Sequence, residues 1–196
     1  MKSLINRLKK QNKKISVAES CTGGLISKMI TDTAGASAVF DCAVTVYSNE
    51  FKTKLLGVRE ETLDEFGAVS EQTAREMASG VLNLSGADIA LSVTGIAGPS
   101  NDGSKKPVGT VCIGVATAEK CYATTFVFAG SRTEVRRMAA KMALNMAYDE
   151  LGTTKKTAKT KKTEKIKTTA KSAVKKTKSA ITKSKSAINK LMKKDK

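Results

Sequence analysis

Ile15-Ser16-Val17-Ala18-Glu19-Ser20-Cys21-Thr22-Gly23-Gly24-Leu25-Ile26 is the stretch on which the fold reading turns. Ile15 to Ala18 reads as a strand, and Glu19 to Gly24 reads as a polar turn ending in two glycines. Leu25, Ile26, Met29 and Ile30 then recur at helical spacing. A strand, a glycine-rich turn and a helix in that order form the usual unit of an α/β sheet, and such turns carry its ligand sites. Reading outward, Leu4, Ile5 and Leu8 give an amphipathic opening helix ending near Asn12. Val39 to Val46 is a second strand, separated by Tyr47-Ser48-Asn49 from a helix over Glu50 to Leu56, with Gly57 as its stop. A helical turn spans Thr62 to Phe66, and Ser70 caps a helix reaching about Leu84. Asp88 to Val93 is a strand leading into Thr94-Gly95-Ile96-Ala97-Gly98-Pro99. Val108 to Ala116 and Cys121 to Phe128 pair as a hairpin. Ser131 with Glu134 forms a capping box for a last helix ending near Leu151, with Gly152 as its stop. Alternation first and adjacent strands later predict a single α/β domain, a mixed sheet flanked by helices, with the strand order left open.

Charge divides the chain in two. The 196 residues hold 35 basic and 18 acidic side chains, yet residues 1–152 have 18 and 16 of these, a net of +2. Residues 153–196 have 17 lysines against Glu164 and Asp195, a net of +15. The first part can bury a core; the second repels itself and has little to bury. We therefore expect a domain over 1–152 and a disordered polycationic tail over 153–196. Within the tail, Lys171-Ser172-Ala173-Val174, Lys178-Ser179-Ala180-Ile181 and Lys185-Ser186-Ala187-Ile188 repeat every seven residues. Such a segment is expected to bind polyanions, nucleic acid above all, non-specifically and with strong salt dependence. No apolar run approaches the roughly 18 residues of a membrane span, and residues 1–14 lack a signal-peptide pattern. The expected location is the cytoplasm, without membrane insertion. The four cysteines (Cys21, Cys42, Cys112 and Cys121) show no zinc spacing and are expected to be buried, reduced thiols.

The chain has no histidine. This removes Ser-His-Asp and Cys-His catalysis and histidine metal sites, and leaves Lys, Tyr or a carboxylate as the base of any hydrolytic mechanism. Three turns hold suitable residues. In Ser20 to Gly24, hydroxyls and backbone N–H groups ahead of a helix suit an oxyanion or phosphate, and equally suit an ordinary helix cap. In Tyr47-Ser48-Asn49-Glu50-Phe51-Lys52, a cap at Ser48 or Asn49 puts Lys52 at the wrong end of a helix for a cation. If desolvated it becomes a base, otherwise it is a solvated surface lysine. In Thr94 to Pro99, Thr94 and Gly95 suit close ligand approach or a plain tight turn. Arg132 and Arg136, one turn apart on the last helix, suit either an anion or solvent.

Five strings in order resemble one family. They are Ala18-Glu19-Ser20-Cys21-Thr22-Gly23-Gly24, Val46-Tyr47-Ser48-Asn49-Glu50, Gly67-Ala68-Val69-Ser70, Thr94-Gly95-Ile96-Ala97-Gly98-Pro99 and Lys106-Pro107-Val108-Gly109-Thr110-Val111. Over residues 1–152 the chain resembles the CinA C-terminal domain, whose stand-alone members are nicotinamide-nucleotide amidohydrolases (NMN deamidases). The resemblance implies hydrolysis of the carboxamide of nicotinamide mononucleotide (NMN) to the nicotinate nucleotide and ammonia, with no cofactor and no metal. It implies Ser20 as nucleophile, Lys52 as general base and Tyr47 in support of the proton path. Thr22, Gly23, Gly24, Ser48, Thr94 and Gly95 are then substrate contacts, with Arg132 or Arg136 on the 5′-phosphate. A homo-oligomer is also implied. The chain departs from the pattern at Ala43, where glycine is expected, and at Ser100 to Ser104, where a glycine-richer loop is expected. Neither the nucleotide-processing domain of full-length CinA nor the lysine tail belongs to this resemblance. A competing reading makes the protein a nucleic-acid-associated or competence accessory factor acting through that tail.

Overall fold

The computed structural model describes residues 1–101 and 103–153. Five strands form one mixed sheet in the order β2-β1-β3-β4-β5. These are β1 (Ile15–Glu19), β2 (Phe40–Thr45), β3 (Ile89–Gly95), β4 (Thr110–Thr117) and β5 (Cys121–Val127). β1 lies parallel to both β2 and β3, whereas β3–β4 and β4–β5 are antiparallel. The helices are α1 (Lys2–Gln11), α2 (Leu25–Thr31), α3 (Asn49–Leu56), α4 (Glu60–Phe66), α5 (Glu71–Ser85) and α6 (Arg132–Thr153). The mixed sheet with flanking helices is thus observed, and its strand order is now fixed.

Alternation along the strands assigns the two faces. Val17, Leu91, Val93, Ile113 and Val115 pack against Leu4, Ile5 and Leu8 of α1, Ile26 and Ile30 of α2 and the alanine-rich side of α6. The opposite face carries small residues, Ser16, Ala18, Ala90, Ser92, Gly114 and Ala116, and α5 lies directly on it. Ser92 Oγ donates to the Ala74 carbonyl at 2.5 Å and Ser16 Oγ to the Val81 carbonyl at 3.4 Å. A side chain at Gly114 would collide with the Ala74 backbone, so glycine there sets the helix-to-sheet distance. α3 and α4 pack in turn against α5.

Two expectations need correction. Gly152 does not stop the last helix, because α6 continues through it to Thr153. Arg7 explains the glycine: Nη1 and Nη2 donate to the Tyr148 carbonyl and hydroxyl at 2.8 and 2.6 Å, and a Cβ at Gly152 would strike Nη1. The four thiols are free, but only Cys21 and Cys112 are buried; Cys42 is half-buried and Cys121 exposed. Cys42 and Cys121 sit on β2 and β5, the two edges of the sheet, where burial is incomplete. The tail's expected disorder and its seven-residue repeat fall outside the described residues.

Candidate active site

Three turns leave the same end of the sheet and enclose a cleft of about 430 Å³. Its walls include Ser20, Cys21, Tyr47, Ser48, Asn49, Lys52, Thr94, Gly95 and Arg132. The parallel pairing of β1 with both β2 and β3 brings these turns together, since all three chains then exit in one direction.

Ser20 follows β1, is 7% exposed, and has its own N–H held by the Val93 carbonyl of β3 at 2.9 Å. The helix after it is capped from an unexpected source. Glu19, fully buried at the end of β1, accepts from the Ile26 and Ser27 N–H groups at 3.1 and 2.9 Å and from Ser27 Oγ at 2.6 Å. The N–H groups that open α2 are therefore occupied by a protein carboxylate, and the Gly23 N–H by the Ser20 carbonyl at 3.1 Å. Of the two readings of this turn, the Gly23, Ile26 and Ser27 N–H groups follow the helix-cap one. An acidic residue directly before a glycine-rich turn was the only sequence signal for this cap.

Lys52 is 1% exposed, an extreme value for a lysine. Ser48 caps α3, its Oγ accepting from the Phe51 N–H at 3.3 Å, which makes Lys52 the fourth helical residue. Its Nζ donates to the Tyr47 carbonyl at 3.0 Å. Burial lowers its pKa below the ordinary lysine value, opposed only by a smaller attraction from the Cys21 thiol. Cys21 shares the cleft with Ser20, but burial pushes its thiol up to about 12, so it is no thiolate at neutral pH.

The remaining predicted residues divide into two groups. Tyr47, Ser48, Thr94, Gly95 and Arg132 line the cleft with Ser20 and Lys52. Thr94 Oγ1 donates to the Ala68 carbonyl at 2.8 Å, tying β3 to the turn before α5. The Tyr47 ring is 65% exposed, and its hydroxyl lies 3.4 Å from Arg132 Nη2. Arg132 Nη1 donates to the Gly98 carbonyl at 2.7 Å, so Arg132 spans the mouth between two turns. Thr22, Gly23, Gly24 and Arg136 are not on the cleft wall. Arg136 donates from Nε to the Cys21 carbonyl at 3.1 Å and from Nη2 to the Thr22 carbonyl at 2.7 Å. With its guanidinium engaged by main chain, it is not placed as a phosphate contact. Gly23 and Gly24 supply left-handed backbone (φ +56° and +88°) at the start of α2. Cys21, Asn49, Val69, Gly98 and Ser100 also line the cleft and were not singled out by the sequence.

Among the described residues no group of His, Cys, Asp or Glu is placed to hold a metal, and no helix is long and apolar enough to cross a membrane.

Comparison with known proteins covers the same region. A family model described as the CinA C-terminal domain matches residues 1–151. A CinA-like protein of Endomicrobium trichonymphae is 53% identical over 145 residues, 74% of this chain and 34% of that protein. One from Chloroherpeton thalassium is 50% identical over 148 residues, 74% of this chain and 35% of that protein. The chain thus spans about a third of the length of the curated relatives it matches. Among solved structures, competence/damage inducible protein CihA from Agrobacterium tumefaciens superposes with a TM-score of 0.74 at 40% identity, covering 77% of this chain and 92% of that one. Competence damage-inducible protein A (ComA) from Klebsiella pneumoniae gives 0.75 at 35% identity, covering 78% and 97%. The ordered motifs, the sheet and the matched model all fall on the same residues, and the chain belongs to the CinA C-terminal domain family.

Proposed function

We propose that residues 1–152 hydrolyse the carboxamide of nicotinamide mononucleotide by a serine–lysine mechanism that needs no metal. The observation that carries this reading is Lys52: a fully buried lysine without a carboxylate among the groups that shift it, facing the same cleft as Ser20. A desolvated amine is the base that a histidine-free hydrolase requires. In the proposed cycle, neutral Lys52 takes the Ser20 Oγ proton as Oγ attacks the amide carbon. The tetrahedral adduct collapses and expels ammonia, which receives the proton back from Lys52. Water, deprotonated by Lys52, then opens the ester on Ser20, releases the nicotinate nucleotide and restores the serine. Arg132, exposed at the cleft mouth, is the proposed partner of the 5′-phosphate. Ammonia release from the nucleotide, measured with EDTA present for wild type and Ser20→Ala, tests the reading. We expect release by the wild type only; a well-folded wild type that releases none refutes it.

The charge of residues 153–196 favours a second, compatible reading. With 17 lysines and two acidic residues, this segment is proposed to hold nucleic acid through phosphate contacts and counterion release. Removing residues 153–196 is expected to abolish retention on DNA and leave amide hydrolysis unchanged. Retention that survives the deletion would place the nucleic-acid surface elsewhere.

A further inference from the structure

We infer that Arg136 is a positioning residue that fixes the peptide planes of the Ser20 turn from the side facing away from the cleft. The inference rests on the serine–lysine reading of the site. Arg136 lies one turn along α6 from Arg132, yet the two guanidinium groups do different things. Arg132 reaches the cleft mouth; Arg136 reaches the back of the β1–α2 turn, 114 and 115 positions earlier in sequence. Its Nε and Nη2 donate separately to two consecutive carbonyls, those of Cys21 and Thr22. The rigid fork of a guanidinium makes such a pair of bonds directional, which the single ammonium of a lysine does not. Each peptide is planar, so holding the Cys21 carbonyl also sets the N–H vector of Thr22, and holding the Thr22 carbonyl sets that of Gly23. The Gly23 N–H in turn donates back to the Ser20 carbonyl at 3.1 Å, which closes the turn on the serine itself.

Two further observations place the guanidinium hard against this turn. Gly23 has φ +56°, and a Cβ there would come within 3.4 Å of Arg136 Nη2. Thr22 is fully buried, and its Oγ1 has no hydrogen-bond partner among the described residues. An unpaired buried hydroxyl gives the turn no side-chain anchor of its own at this point. The main-chain bonds from Arg136 supply the anchor instead. Glu19, next to the serine in sequence, holds the Ile26 and Ser27 N–H groups of α2, so the Ser20 turn has two charged clamps that act on main chain.

Labelling of Ser20 by a fluorophosphonate reads the alignment of the nucleophile directly. Ser20 Oγ bonds to phosphorus, fluoride leaves with the electron pair of the P–F bond, and the serine proton passes to Lys52. Wild type, Arg136→Ala and Arg136→Lys are compared on the full chain, below the melting temperature of all three, with the labelled peptide located by mass spectrometry. We expect Arg136→Ala to label about 100-fold more slowly, the loss typical of a misplaced reacting group. Non-denaturing guanidinium chloride should restore part of that rate in Arg136→Ala and none in Arg136→Lys. Arg136→Lys, which keeps the charge without the fork, should label slowly even where Arg136→Ala folds poorly. Equal labelling in all three overturns the inference and leaves the amidase reading standing. A wild type that fails to label overturns both, since no aligned nucleophile is then present. Ammonia release assayed in parallel separates the mechanisms further. Positioning lowers kcat with KM kept within about threefold, whereas an anion-binding Arg136 raises KM and spares kcat.

Discussion

The β1–α2 and β2–α3 turns are neighbours built on adjacent parallel strands, joined where the Val46 N–H donates to the Glu19 carbonyl at 2.9 Å. Each runs from strand to helix, and each carries one member of the proposed pair. Their supports differ in kind. Around Ser20 the supports come from afar: the Val93 carbonyl from β3, Arg136 from α6, and Glu19 capping a helix seven and eight residues ahead. Around Lys52 they are local: Ser48 caps the Phe51 N–H three residues on, and Tyr47 holds the lysine five residues on. The nucleophile turn therefore depends on the completed fold for its shape. The base turn depends on it only for burial. Long-range clamps suit a serine that must be held in one geometry, and local ones suffice for a lysine whose decisive property is its dryness.

The largest effects should fall on the two residues themselves. Ser20→Ala is expected to reduce amide hydrolysis at least a thousandfold while the melting temperature moves little, read by ammonia release and calorimetry. Lys52→Met should lose activity to a similar extent but differ in stability. Desolvation holds the folded-state pKa of Lys52 below its unfolded value. The unfolded chain thus binds the extra proton between those two values, and wild-type stability rises with pH across that window. Below it the cost of burying the charge is fully present; above the ordinary lysine pKa it is gone. Lys52→Met is therefore expected to be more stable than wild type by about 1–3 kcal/mol at neutral pH, with the gain fading towards pH 10.5. Urea titrations from pH 6 to 10 measure this, and a gain that does not fade would mean the lysine is not desolvated in solution. By the same ionisation, kcat/KM of the wild type should rise with pH as Lys52 loses its proton, reaching its plateau below the ordinary lysine range.

Glu19→Gln probes the distant support. An amide keeps one acceptor oxygen but turns an NH₂ towards one of the α2 N–H donors, leaving a buried group unpaired at a cost of about 1–3 kcal/mol. In a domain of this size that lowers the melting temperature by roughly 2–10 °C. Because the same carboxylate shapes the Ser20 turn, turnover should fall with it, unlike a simple loss of stability remote from the cleft. Thermal melts and kcat measured well below the transition distinguish the two.

This contrast also explains what could be read from the sequence. Ser48 and Ser70 as caps, Gly57 as a stop and the Glu134 half of the Ser131–Glu134 box were legible because each acts within three or four residues, and the structure has these. Glu134 accepts from the Ser131 N–H at 2.8 Å, the return half of the box, while the Ser131 Oγ donates to the same carboxylate at 2.7 Å and so is turned from the helix N–H groups. Gly152 was misread for the opposite reason. A glycine near a helix end looks like a stop, but the Arg7 side chain that occupies its missing Cβ position comes from the other end of the chain. Arg136 and Arg132 were indistinguishable in sequence, one helical turn apart. Only the packing of α6 against the sheet sends one to the cleft and the other behind it. Ala68, Val69 and Gly98 fell within the quoted strings, but their place on the cleft wall was not read because they contribute position rather than functional groups.

The smallest effect, and the sharpest test of the contrast, belongs to Ser48→Ala. Its hydroxyl accepts a single bond at 3.3 Å from an exposed turn, so losing it should cost about 0.5–1 kcal/mol, the low end for an N-cap. If the base turn is shaped by local bonds but matters only for keeping Lys52 dry, this loss should leave the pH profile of kcat/KM in place. On this view the burial of the lysine, 1% exposed, does not hang on that one bond. A profile shifted towards the ordinary lysine pKa in Ser48→Ala would mean that water reaches Nζ once the cap is gone. The cap, rather than the packing, would then be what keeps the amine desolvated, and the two turns would be alike in depending on individual hydrogen bonds for their chemistry.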